Sequence, residues 1–174
     1  MPIARILLTV LGLYIAAVGT AVAQSTPTTF VAHLEGSQEV PPRDTPAVGQ
    51  AIFQLNAEGT ELRYRLIASN IENVVAAHIH LAPAGVNGGI VAFLFGSVAP
   101  AGGRTDGVLA TGTITSASLI GTLAGASLST LISAMRDGIA YANVHTNDGV
   151  APTNMGPGDF PGGEIRGQIR VAGP

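Results

Sequence analysis

Apolar and polar residues alternate along most of the chain after Thr29. In residues 61–69 every second position from Leu62 to Ala68 is apolar, and two arginines stand between them. This period of two indicates a strand with one buried face. The same criterion predicts eight strands, at residues 29–34, 48–56, 61–69, 74–81, 90–95, 108–115, 139–145 and 163–171.

One segment has helical spacing instead. Its apolar residues recur at i, i+3, i+4 and i+7, and they are Leu128, Leu131, Ile132 and Met135. Ser127 can cap the start and Gly138 follows the end, which predicts a helix near residues 127–136. Short strands with one crossover helix predict an all-β fold, an antiparallel Greek-key sandwich or barrel of about seven or eight strands over residues 30–174.

The amino terminus has the order of a secretory signal peptide. A short positive start is followed by a long apolar stretch, and Ala21-Val22-Ala23 is a small-x-small site before Gln24. We therefore expect residues 1–23 to be a signal peptide, 24–29 a linker, and the protein to be secreted or periplasmic. An uncleaved anchor is the alternative, because about 17 apolar residues lie near the lower limit for spanning a bilayer. No later stretch is apolar for long enough to span a membrane.

Composition excludes several functional classes. The 174 residues are 47% hydrophobic and carry a net charge of −3. There is no lysine and the eight arginines are scattered, so no basic face for nucleic acid is visible. The chain has no cysteine, which rules out disulfides and thiolate metal sites.

The candidate chemistry lies in the histidines. His78 and His80 stand two apart on a predicted strand, so their side chains project from one face about 7 Å apart. His145, at the end of another strand, is the natural third ligand, and imidazole-only sites suit copper or zinc. The alternative is that these histidines only anchor loops. His33 is interpreted as an exposed edge residue, and Met155 is a weaker candidate as a soft axial donor.

Several phrases resemble the chordin domain (CHRD) family. In order they are Glu39-Val40-Pro41-Pro42, Leu62-x-Tyr64, Ala77-His78-Ile79-His80, Tyr-Ala-Asn-Val-His-Thr at 141–146 and Gly-Glu-Ile-Arg-Gly-Gln at 163–168. The resemblance spans residues 30–171 and is closest to the microbial single-domain exported form. It implies an extracytoplasmic domain. One departure is the longer loop at 147–161, rich in glycine and proline, which can cover a site beside His145.

Three functions remain open. The first is an exported binding protein that coordinates copper or zinc through His78, His80 and His145. The second is an extracellular interaction or adhesion module, with a protein or surface partner and structural histidines. The third and weakest is a redox enzyme like copper–zinc superoxide dismutase. That enzyme also has a His-x-His strand pair on a sandwich of similar architecture, but the analogy shows no shared chemistry. We therefore favour a function that is not enzymatic. Glu164 and Arg166 are interpreted as a structural ion pair, and Glu39 as part of a loop corner.

Overall fold

The computed structural model describes residues 29–173. Within this range the chain forms nine strands and one α-helix. The elements are β1 (Thr29–Glu35), β2 (Val48–Leu55), β3 (Leu62–Glu72), β4 (Val74–Leu81), β5 (Gly89–Gly96), β6 (Arg104–Ile114), α1 (Leu128–Arg136), β7 (Ala140–Thr146), β8 (Ile165–Gln168) and β9 (Arg170–Val171). The predicted signal peptide lies outside the described residues, as does all but the last residue of the linker.

All nine strands belong to one antiparallel sheet that rolls into a nearly closed barrel. Its order is β5-β4-β7-β8-β1-β2-β3-β6, with β9 also paired to β1. Strands β1, β2 and β3 form a meander. A long connection brings β8 back beside β1, which is the arrangement typical of a Greek key. The predicted all-β fold with one short helix is therefore confirmed. No described helix has the length and apolarity that a membrane crossing needs.

Two local details differ from the sequence-based expectation. The predicted last strand is divided into β8 and β9 at Ile169, whose backbone N–H donates to the carbonyl of Ala140. Ser127 stands at the N-cap of α1, but its hydroxyl contacts the hydroxyls of Ser129 and Thr130 rather than a backbone amide. The helix is instead held by its buried apolar stripe, which includes Leu131 and Met135.

The inward faces of the strands build one apolar core. On β3 the predicted inward positions are confirmed, because Leu62, Leu66 and Ala68 are fully buried. Tyr64 on the same face reaches across the barrel, and its hydroxyl donates to the Leu94 carbonyl on β5 at 2.7 Å. This bond joins β3 to β5 near the place where the end strands β5 and β6 approach each other without pairing.

The outward face of β4 and β7 is where the candidate histidines lie. In the register of these two strands, His78 stands opposite Asn143, and His80 opposite Tyr141. His145 follows Asn143 by two residues and therefore shares its face. The inward positions between them, such as Ile79, belong to the core. We call the outward set His78, His80, Tyr141, Asn143 and His145 the histidine face.

Candidate metal site

The three predicted ligands converge on the histidine face. His78, His80 and His145 each offer a ring nitrogen, and these atoms lie within 4.8 Å of one another. Nitrogens bound to one ion at roughly 2.0–2.1 Å stand at most about 4 Å apart. The described ring nitrogens are thus somewhat farther apart than they would be around a bound ion.

His80 is oriented by the loop that follows β4. Its Nδ1 lies 2.9 Å from the carbonyl oxygen of Gly88, which can only accept, so Nδ1 carries the proton in the neutral ring. Its ring also stacks on Tyr141, with 4.9 Å between centroids and 9° between planes. Nε2 of His80 is left buried and has no hydrogen-bond partner among the described residues. In this tautomer Nε2 has a lone pair to which no described residue donates.

His145 is oriented in the same way by the long loop. Its Nδ1 lies 2.8 Å from the carbonyl oxygen of Pro161, so the neutral ring again carries its proton on Nδ1. Metal-binding histidines commonly donate their second ring N–H to a backbone carbonyl in this manner. The predicted role of the loop at 147–161 as a cover beside His145 agrees with this contact.

His78 completes the triangle from the centre of the face. Its ring lies 4.9 Å from that of His145 and 5.6 Å from that of His80, centroid to centroid. Phe93 on β5 contacts it edge-on at 4.6 Å and is itself 45% exposed. Nδ1 of His78 is a second buried ring nitrogen without a partner in the described part of the chain.

The environment keeps all three imidazoles neutral near pH 7. Burial, followed by the charges of His145 and His80, lowers the pKa of His78 from 6.5 to about 4. Burial is also the largest cause of the lowered pKa of His80 and of His145, although their carbonyl contacts oppose it. Only the neutral ring has a lone pair for a metal, so the site disfavours its own protonation.

Arg166 holds the loop beside His80. Its guanidinium donates to the carbonyls of Pro83 and Val86 and to the side chain of Asn87, and it lies 3.4 Å above the ring of Tyr141. Tyr141 is thus sandwiched between Arg166 and His80. The predicted ion pair between Glu164 and Arg166 is wrong, because the two side chains have different partners. Arg166 bonds to the loop between β4 and β5, whereas Glu164 bonds to Thr45, to Thr146 at the end of β7 and to Gly158 in the long loop.

Glu164 holds the other loop. Its fully buried carboxylate accepts from the hydroxyls of Thr45 and Thr146, each at 2.6 Å, and from the backbone N–H of Gly158 at 2.9 Å. These contacts fasten the long loop to β7 close to His145. The role of Glu164 is therefore to position the cover of the histidine face.

Sequence reasoning missed Asn143 and did not place Glu39 beside it. Asn143 is 3% exposed and its Oδ1 lies 3.1 Å from Nε2 of His145. Glu39 is 5% exposed, and its Oε1 packs against Gly163 beside Nδ2 of Asn143. Burial raises the Glu39 pKa to about 7, against the opposing charges of Arg166 and Arg43. The position of Asn143 two residues before His145 was the one available signal.

The weaker candidates lie away from the cluster. His33 is exposed, as predicted, but β1 is paired on both sides, so its interpretation as an edge residue is wrong. Met155 is 73% exposed at the surface of the long loop. Neither residue belongs to the group of ligand atoms that the described structure brings together.

The donor set fits a transition metal ion. All three ligands are neutral nitrogens, the choice typical of copper and zinc sites and unlike the oxygen ligands of calcium or magnesium. Two of the rings have their tautomer set by a carbonyl, and two have a buried nitrogen without a partner. Such orphaned atoms are uncommon in a protein interior, and a bound cation would satisfy them.

Comparison with known domain families matches residues 30–169 to the CHRD domain. The match covers most of the chain and includes every residue of the histidine face. No curated protein and no solved structure matches the chain significantly. The likeness to superoxide dismutase therefore remains an analogy of spacing and architecture.

Proposed function

The chain belongs to the CHRD domain family, and on that premise we propose that it is an exported protein that binds copper or zinc through His78, His80 and His145. The leader pattern of residues 1–23 supports export to the periplasm or the extracellular space. The protein acts there as a metal-binding module, with the barrel as a rigid support.

One observation carries the proposal. Nδ1 of His78 and Nε2 of His80 are buried without partners in the described structure, and their rings form one cluster with a third histidine. An unpaired buried nitrogen costs roughly 1–3 kcal/mol. A cation bound between the rings would turn that cost into a favourable interaction.

The interaction-module alternative rests on a different observation. His80 and His145 each bond to a loop carbonyl, so they also fasten the loops that cover the face. This structural role accounts for one nitrogen on each of these rings. It leaves the partnerless nitrogens of His78 and His80 unexplained, which is why we favour the metal site.

Thermal unfolding with and without added metal separates the two functions. We expect Cu²⁺ or Zn²⁺ to raise the Tm of the parent protein, because a ligand that binds only the folded state stabilises it by mass action. His78→Ala, His80→Ala and His145→Ala should each abolish that rise. His33→Ala is the matched control, since it removes an exposed histidine outside the cluster, and it should keep the rise.

The proposal fails if the parent and all four variants show the same Tm with and without metal. In that case the histidines are loop anchors and the interaction module takes its place. A rise that persists in the three cluster variants but disappears in His33→Ala would place metal binding elsewhere.

A further inference from the structure

Asn143 stands in the centre of the histidine face but belongs to none of the roles assigned so far. It lies directly opposite His78 in the strand register, and it is almost fully buried. Its Oδ1 lies 3.1 Å from Nε2 of His145.

The contact between Asn143 and His145 is not an ordinary hydrogen bond. Nδ1 of His145 is committed as a donor to the Pro161 carbonyl, so in the neutral ring Nε2 has only a lone pair. Oδ1 of Asn143 is also only an acceptor. Two lone pairs that face each other at 3.1 Å repel unless a proton or a cation lies between them.

Glu39 explains why the amide oxygen faces the histidines. The Glu39 carboxyl lies on the amide-nitrogen side of Asn143, because Oε1 of Glu39 and Nδ2 of Asn143 are both packed against Gly163. Gly163 permits this approach, since a Cβ there would come 2.5 Å from Oε1 of Glu39 and 2.9 Å from Nδ2 of Asn143. With its nitrogen held on this side, the amide must present Oδ1 to His145.

We infer that Oδ1 of Asn143 is the fourth donor of the metal site, beside His78, His80 and His145, and that Glu39 is the positioning residue that sets the amide. The inference rests on the proposed metal-binding function. In a tetrahedral site with bonds of roughly 2.0–2.1 Å, neighbouring donor atoms stand about 3.3 Å apart. The distance of 3.1 Å between Oδ1 and Nε2 is close to that edge.

Zinc titration of the parent protein, followed by ¹³C and ¹⁵N NMR, tests the inference without any substitution. We expect the ring nitrogens of the three histidines and the side-chain carbonyl carbon of Asn143 to shift together, saturating at the same amount of Zn²⁺. Shifts of the histidine rings with an unmoved Asn143 carbonyl would overturn the fourth-donor role and leave the proposed function standing. If no histidine ring shifts, the proposed function itself fails.

Variants give an independent test by calorimetric titration with Zn²⁺. Asn143→Leu keeps the size of the side chain but has no donor, and we expect a loss of affinity of about 10- to 100-fold. Asn143→Asp retains an oxygen donor and should recover most of that loss. Gln50→Leu is the matched control, an amide removed from the outward face of β2, far along the sheet from β4 and β7.

Two results would contradict the role of Asn143 as the fourth donor. Parent-like affinity in Asn143→Leu would exclude Asn143 as a ligand. Equal losses in folded Asn143→Leu and Asn143→Asp would assign it a purely structural role. For Glu39, we expect Glu39→Leu to weaken zinc binding while the Asn143 carbonyl still shifts in the complex, and unchanged affinity would remove Glu39 from the site.

Discussion

The outward surfaces on two sides of the same barrel differ sharply. On β3 the outward residues Arg63 and Arg65 are exposed to solvent, and Arg63 pairs only loosely with Glu61 at 3.6 Å. On β4 and β7 the outward residues are also polar, yet His78 and Asn143 are buried. The strands are alike in pattern and pairing; the difference lies in the loops that cover one side.

A polar residue on an outward strand face contributes differently to stability on the two sides. An exposed polar group stays hydrogen-bonded to water, so it needs no protein partner. Under a loop each polar group must find a protein partner or leave one atom unsatisfied. The histidine face has partners for most of its polar atoms and leaves two ring nitrogens without any in the described structure. Those two atoms are the reason to interpret this side as a binding site.

Among substitutions on the two sides, we expect the largest loss of stability at Glu164. Glu164→Ala removes the acceptor of the Thr45 and Thr146 hydroxyls and of one backbone N–H, and it should lower the free energy of unfolding by roughly 3 kcal/mol. Arg63→Ala on the exposed side should change it by less than about 0.5 kcal/mol. Urea denaturation of both variants with metal chelated gives the comparison.

Similar losses of unfolding free energy in Glu164→Ala and Arg63→Ala would show that the covered and exposed sides do not differ in this way. The loss in Glu164→Ala should also be accompanied by weaker metal binding, because the loop that carries the Pro161 carbonyl is no longer fastened beside His145.

A smaller effect is expected from pH, again with metal chelated. The pKa of His78 is about 4 in the folded protein against 6.5 as its ordinary value. As pH falls through this window the unfolded histidine takes up a proton first, so the free energy of unfolding decreases. The slope is at most about 1.4 kcal/mol per pH unit for each such histidine. The lowered pKa values of His80 and His145 act in the same direction.

Glu39 has the opposite effect on the pH dependence of the free energy of unfolding, so a Glu39 variant should change the slope in the opposite direction from a His78 variant. Its pKa is raised from 4.5 to about 7, so its contribution is fully present below pH 4.5 and is lost as pH rises through 7. Glu39→Gln should therefore steepen the loss of stability between pH 6.5 and 4.5, whereas His78→Leu should flatten it. Thermal melts over this range measure the slopes, and equal slopes in the parent and both variants would contradict the assigned burial.

Much of the barrel could be predicted from sequence because strand faces follow a local rule. From Leu62 to Ala68 every second residue of β3 is apolar, and the His-x-His pair of β4 needs only the strand geometry to share a face. The gathering of His145 with that pair was also predicted, through its place in the phrase that resembles the family. These inferences use neighbours along one strand or a known order of motifs.

The partners of the buried polar residues could not be predicted in the same way. Glu164 and Arg166 stand two apart on one face, and local spacing alone favoured their pairing. Their actual partners include Thr45 and Val86, which are 119 and 80 residues away along the chain. Loop paths decide these contacts, and no periodic pattern encodes loop paths. The place of Glu39 beside Asn143 could not be predicted for the same reason, since a loop carries it there.

The central claim is that the histidine face is a metal site, and metal content tests it most directly. The parent and His80→Ala are purified without a His tag, and bound copper and zinc are measured by inductively coupled plasma mass spectrometry. We expect about one ion per chain in the parent and almost none in His80→Ala, which lacks the Nε2 atom that is buried without a partner in the described structure. Equal and negligible copper and zinc in both proteins, even after incubation with either metal, would contradict it.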